Sequence, residues 1–177
     1  MELNKPIILI GMMGGGKTTI GRHLAARLSF EFYDSDRLIE AAEGQSVTNI
    51  FQEKGEAYFR ACESRTILPL LSKKNSVLAC GGGSITVPEI AEAVFSSGFV
   101  ICITAPLDIL VQRLSGGKDR PLLQGRDLKV ALSEKLEERK NLYKRAHLEV
   151  DTSRHASQDA VVDHILHLIS IYKVTSS

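Results

Sequence analysis

Apolar runs alternate with helical repeats along the whole chain. Pro6–Ile10, Phe30–Asp34, Val77–Cys80, Phe99–Thr104 and Leu148–Asp151 read as five short strands. Lys17–Leu28 carries Ile20, Leu24 and Leu28 at helical spacing. Further helices are predicted over Arg37–Glu43, stopping at Gly44, and over Val47–Lys54, with Ser46 as cap. The same reading gives helices over Glu56–Ser72, Pro88–Ser96, Leu107–Leu114, Leu128–Ala146 and Gln158–Ile171. The runs IILI and FVICI are continuously apolar, as strands covered on both faces require. Strands separated by helices predict an α/β fold, a parallel sheet between two helical layers. Only Ser115–Asp127 lacks a core-facing pattern, which suggests an exposed lid. No repeat or linker interrupts residues 1–177, so one domain is expected.

Composition narrows the function classes. With 22 basic and 21 acidic residues the net charge is +1, which gives no reason to expect nucleic acid or an anionic membrane as partner. No apolar run approaches the ~18 residues of a membrane span. The stretch Met1–Pro6 looks like neither a signal nor a transit peptide. Cys62, Cys80 and Cys102 are odd in number and lack CxxC spacing, which suits a reducing compartment. A cytoplasmic location is therefore expected. Cys62 has no His placed to activate it, and His164 and His167 read as surface residues.

Gly11-Met12-Met13-Gly14-Gly15-Gly16-Lys17-Thr18 fits G-x-x-x-x-G-K-[ST] between a strand and a helix. Glycines let backbone N–H groups curl around phosphate oxygens, and the following helix points its N-terminus at the same anion. Lys17 can reach the β- and γ-phosphates of ATP, and the Thr18 hydroxyl can ligate Mg²⁺. Asp34 and Asp36 follow at the carboxyl end of the second strand, where ligands gather in open α/β sheets. One can serve hydrated magnesium and the other a substrate hydroxyl; helix capping would account for one of them, not both.

Two helices place charges on apolar stripes. Arg139 projects between Leu136 and Tyr143 in the stripe of Leu128, Leu132 and Ala146. A buried guanidinium needs an anion, from the protein or from a ligand. Arg60 and Glu63 fall on the face of Phe59 and Ile67, where they either pair with each other or leave Arg60 to grip a carboxylate. Gly81-Gly82-Gly83-Ser84 closes the third strand, as a ligand wall or a tight turn. In the predicted lid, Arg120 is placed to stabilise charge on a transferring phosphoryl group, or is an ordinary surface charge.

Together these motifs resemble the shikimate kinase family over nearly the whole chain. The resemblance rests on Gly11–Arg22, Asp34-Ser35-Asp36, Phe59-Arg60 with Glu63, Gly81–Gly83, Arg120-Pro121-Leu122-Leu123, and Arg139 before Leu142-Tyr143. It implies a five-stranded parallel sheet in the order 2-3-1-4-5, as in nucleoside monophosphate kinases. It also implies transfer of phosphate from ATP to the 3-hydroxyl of shikimate, in aromatic amino-acid biosynthesis. By the same resemblance, Gly14, Gly15, Gly16, Lys17, Thr18 and Thr19 hold ATP, and Thr18 and Asp34 serve Mg²⁺. Asp36 holds the shikimate hydroxyls as base, Arg60 and Arg139 clamp its carboxylate, and Gly81, Gly82 and Gly83 wall the pocket. Arg120 reaches the ATP phosphates, and Arg113 or Arg154 meets the adenine. Helices over residues 35–63 bind the acid, and a monomer is expected. A gluconate kinase and a nucleotide-binding regulator without catalysis are the alternatives.

Overall fold

A computed structural model describes residues 5–115 and 127–175. Five strands form one parallel sheet: β1 (Ile7–Ile10), β2 (Glu31–Asp34), β3 (Ser76–Ala79), β4 (Phe99–Thr104) and β5 (Leu148–Asp151). Their order is β2-β3-β1-β4-β5. The strands β1, β3 and β4 are buried along almost their whole length, which is why their sequences do not alternate.

Helices cover both faces. Alternate residues of β1 and β4, among them Leu9 and Ile101, pack against α1 (Lys17–Leu28) and α7 (Gln158–Thr175). The intervening Ile8, Val100 and Cys102 face α3 (Val47–Leu70), α4 (Pro88–Ser97) and α6 (Leu128–Tyr143). A smaller core joins Met12 and Leu132 to Leu110 and Leu114 of α5 (Leu107–Leu114). Another, around Ile39, Ile50 and Phe59, binds α2 (Ser35–Glu43) to α3.

Several boundaries differ from expectation for local reasons. Phe30 lies outside β2 because its N–H caps α1, donating to Ala25 O at 2.9 Å while Ser29 turns left-handed at φ 56°. The two helices expected before and after residue 55 run on as α3, broken at Gly55, whose φ of 80° and ψ of 172° are not helical. The helix α6 stops at Tyr143, three residues short of Ala146, which still packs on the core. His167 is exposed as expected, but His164 is half-buried, its ring 4.8 Å from that of His155. All three cysteines are free and buried. Among the described residues no helix is long and apolar enough to cross a membrane.

Gly11, directly after β1, has φ 134°, and a Cβ there would stand 2.1 Å from the backbone oxygen of Ile103. Gly11→Ala must therefore both strain the chain and push β4 aside. A loss of about 3 kcal/mol is expected, or a fall of roughly 6–12 °C in melting temperature.

His147 supplies a pH dependence. Its Nδ1 accepts the Val100 N–H at 3.0 Å, and its ring stacks on Phe99 at 5.1 Å. Burial, helped by the charge of Lys5, lowers its pKa, so the fold favours the neutral ring. A depressed pKa contributes stability that is complete above the unfolded value, about 6.5, and is lost as pH falls below it. This contribution, read as the difference in urea-derived stability between the wild type and His147→Phe, is expected to decline through that window. His147→Phe should be less stable at neutral pH, by a margin that shrinks as pH falls; a constant margin would discard this account.

Candidate active site

The loop from Gly11 to Gly16 wraps the amino end of α1. Lys17 is buried beneath it, and its Nζ donates to Gly11 O at 2.8 Å and Met12 O at 3.0 Å. Burial lowers the Lys17 pKa; the charge of Asp36 opposes that shift. Beside it, the Thr18 hydroxyl donates to Asp34 Oδ2 at 2.6 Å. The other oxygen of Asp34 caps α2 by accepting the Arg37 N–H. Capping and the contact to Thr18 thus share one carboxylate.

Thr18 and Asp34 suit Mg²⁺. Both are hard oxygen donors, and Mg²⁺ keeps several waters, needing only one or two protein oxygens beside substrate phosphates. Among the described residues no group of three or more His, Cys, Asp or Glu could hold a metal by itself.

Asp36 lies in the first turn of α2, half-buried, and its buried Oδ1 has no hydrogen-bond partner among the described residues. Burial, reinforced by Glu63 and Asp34, raises its pKa to about 6. A cavity of about 300 Å³ opens between Asp36, Arg60, Glu63, Arg139 and the wall Gly81–Gly83. Phe51, Phe59 and Val47 supply its apolar side. Arg139 is 2% exposed; its Nη1 donates to Gly82 O at 2.6 Å, and its Nε has no partner among the described residues.

Arg60 is held at the cavity rim. Its Nη1 pairs with Glu63 and its Nη2 with Glu56 at 2.8 Å, so the internal pairing weighed from sequence is present. That pairing does not close the cavity, which Arg60 still lines. The glycine wall permits this closeness. A Cβ at Gly83 would lie 2.7 Å from Arg60 Nη2, and one at Gly81 would lie 2.5 Å from Asp36 Oδ1.

Two further cavities extend from the first. One, about 350 Å³, is lined by Lys17, Thr18, Asp34 and Cys80, and shares Met13, Asp36 and Gly82 with the acid-lined cavity. The next, about 370 Å³, is bordered by Gly14–Gly16, Thr19, Arg113, Thr152 and His155. Arg113 bonds Gly14 O at 3.3 Å and Thr152 Oγ1 at 3.0 Å, which ties α5 to the loop. Arg154 does not join this group: it is exposed, pairs with Asp151, and borders a separate hollow with His155 and His164. Arg120 lies outside the described residues.

Sequence reasoning missed Ser35, whose Oγ accepts the Gly81 N–H at 2.8 Å, and Ser84, which bonds Glu63. It also missed Thr152, set against Gly15 O at 3.4 Å. Ser35 lies between two aspartates and Ser84 directly after three glycines, so adjacency was the available signal.

A phosphate loop on a 2-3-1-4-5 sheet, continuous with a cavity that carries a carboxylate and two guanidinium groups, defines a P-loop phosphotransferase for a small molecule. The comparisons with known proteins narrow the class. A model of the family described as shikimate kinase matches residues 13–170. A shikimate kinase of Zymomonas mobilis is 43% identical over 162 residues, 92% of this chain and 92% of that one. A shikimate kinase from Acinetobacter baumannii, solved in complex with shikimate, superposes with a TM-score of 0.90 at 40% identity, covering 96% of this chain and 94% of that one. A gluconokinase from Sinorhizobium meliloti has a TM-score of 0.55 at 15% identity over both whole chains, a likeness of fold alone. The chain belongs to the shikimate kinase family.

Proposed function

We propose that the protein transfers the γ-phosphoryl group of ATP to the 3-hydroxyl of shikimate, giving shikimate 3-phosphate and ADP. One observation carries this reading. The cavity holding Arg60, Arg139 and Asp36 adjoins the phosphate cleft and shares Asp36 with it. A hydroxy acid gripped by its carboxylate at the arginines would present a hydroxyl to Asp36, beside the phosphates.

Each group then has a task. The loop amides and Lys17 hold the β- and γ-phosphates. Thr18 and Asp34 would hold Mg²⁺, which when bound neutralises charge on the phosphate oxygens. Arg60 and Arg139 fix the acid by charge-assisted hydrogen bonds. Asp36, at about 6, is mostly ionised at neutral pH and still basic enough to accept the hydroxyl proton. The acceptor oxygen forms its bond to phosphorus as the bond from phosphorus to the ADP oxygen breaks, and the proton passes to Asp36. That Arg113 borders the cavity beside the phosphate loop supports it, over Arg154, as the arginine that meets the adenine.

The test is a steady-state assay of ADP release with ATP and Mg²⁺. Release should depend on shikimate and not on gluconate, and shikimate alone should raise the melting temperature. Stabilisation by gluconate without stabilisation by shikimate would move the assignment to the other acid. ATP binding with no turnover of either would leave a nucleotide-binding regulator.

A further inference from the structure

Glu63 is wholly buried, and its two oxygens are divided between two partners. Oε2 accepts from Arg60 Nη1, and Oε1 accepts the Ser84 hydroxyl at 2.5 Å. Ser84 is itself 0% exposed and opens a short 3₁₀ turn, Ser84–Thr86. Its backbone is fixed at both ends: its N–H donates to Gly81 O at 3.1 Å, and its carbonyl accepts from Val87 at 3.2 Å. The hydroxyl is therefore presented to Glu63 by a rigid frame attached to the glycine wall.

We infer that Ser84 is a positioning residue for acid binding: by occupying one oxygen of Glu63, it sets the direction in which Arg60 presents its guanidinium to the cavity. The inference rests on the reading of the cavity as an acid-binding site. A buried carboxylate needs donors on both oxygens. While Ser84 satisfies Oε1, Glu63 takes a single N–H from Arg60 at Oε2, and the guanidinium lies against Gly83, where a Cβ would come within 2.7 Å of Nη2. Without the hydroxyl, Oε1 is left with no donor among the described residues. The remedy within reach is to rotate towards Arg60 and take a second N–H as a two-pronged pair. That movement draws the guanidinium towards Glu63 and away from the cavity. An ordinary ion pair on one helix would need no such third member, since Arg60 already has Glu56 as a second partner.

Loss of this orientation weakens substrate and transition state alike, so it raises KM for the acid and leaves kcat. In Ser84→Ala, KM for shikimate is expected to rise about tenfold, the scale of one buried acceptor left unsatisfied, with KM for ATP unchanged. Ser84→Thr, which keeps the hydroxyl, should recover most of the loss. In a Glu63→Gln background the Ser84→Ala change should add little, because the hydroxyl would act through a group already altered. An unchanged shikimate KM in Ser84→Ala overturns the inference. So does a parallel rise in both KM values with a lower melting temperature, which would mark plain structural damage, and so does additivity with Glu63→Gln. Crystal structures of the wild type and Ser84→Ala decide the matter independently of turnover. A guanidinium that has turned towards Glu63 supports the inference, and one that has not moved overturns it, even if the wild type proves inert towards shikimate and the function above fails.

Discussion

Asp36→Asn is expected to cut turnover by about 10²–10⁴-fold, the usual weight of a general base, while ATP binds as before. The exchange keeps the shape of the side chain and removes its charge and basicity. It should also leave the fold no less stable. Burial raises the Asp36 pKa to about 6, so the folded protein holds a proton there that the unfolded chain releases nearer 3.8. A raised carboxyl pKa means stability that is complete below the unfolded value and lost as pH rises through the folded one. At neutral pH the ionised group is therefore a burden on the order of 2–3 kcal/mol, which asparagine relieves. Single-turnover kinetics, ATP titration and thermal denaturation at neutral pH check the three parts. A fully active variant would remove Asp36 from the reaction, and a markedly lower melting temperature would contradict the burial argument.

Arg139→Met is expected to raise KM for shikimate by about 10²–10³-fold, since it removes a buried charge from one side of the proposed clamp. Methionine fills a similar volume beside Met12 and Tyr143, both of which lie near this guanidinium and its stripe. The fold should survive, because Arg139 has no carboxylate partner among the described residues that its removal would leave buried and uncompensated. ATP affinity should change little, as Arg139 borders the acid cavity and not the nucleotide cavity. Arg139→Lys should fall between the two: it keeps the charge but loses the planar fork that fits a carboxylate. Steady-state kinetics with each substrate varied in turn make the distinction. An unaltered shikimate KM in the methionine variant would separate Arg139 from acid binding.

What sequence alone determined about this protein is what local spacing controls. A Gly-rich turn between strand and helix needs only nearby residues, so the phosphate loop was legible, as were the alternating elements that make a doubly covered sheet. Helical periodicity placed Arg139 on an apolar stripe, and it is indeed buried. Pairing Arg60 with Glu63 also needed only a separation of three residues. The tertiary structure decided everything that joins distant segments. Arg139 reaches Gly82 across 57 residues, Ser35 reaches Gly81 across 46, and Ser84 reaches Glu63 across 21. These contacts exist because β3 lies between β2 and β1, which brings the ends of three strands to one rim. No helical or strand repeat encodes such a meeting, since periodicity records which face a residue takes and not what it finds there. For the same reason the sequence could name Arg113 and Arg154 together for the adenine side. Only the packing of α5 against the phosphate loop sets Arg113 beside that loop and leaves Arg154 on the surface, paired with Asp151.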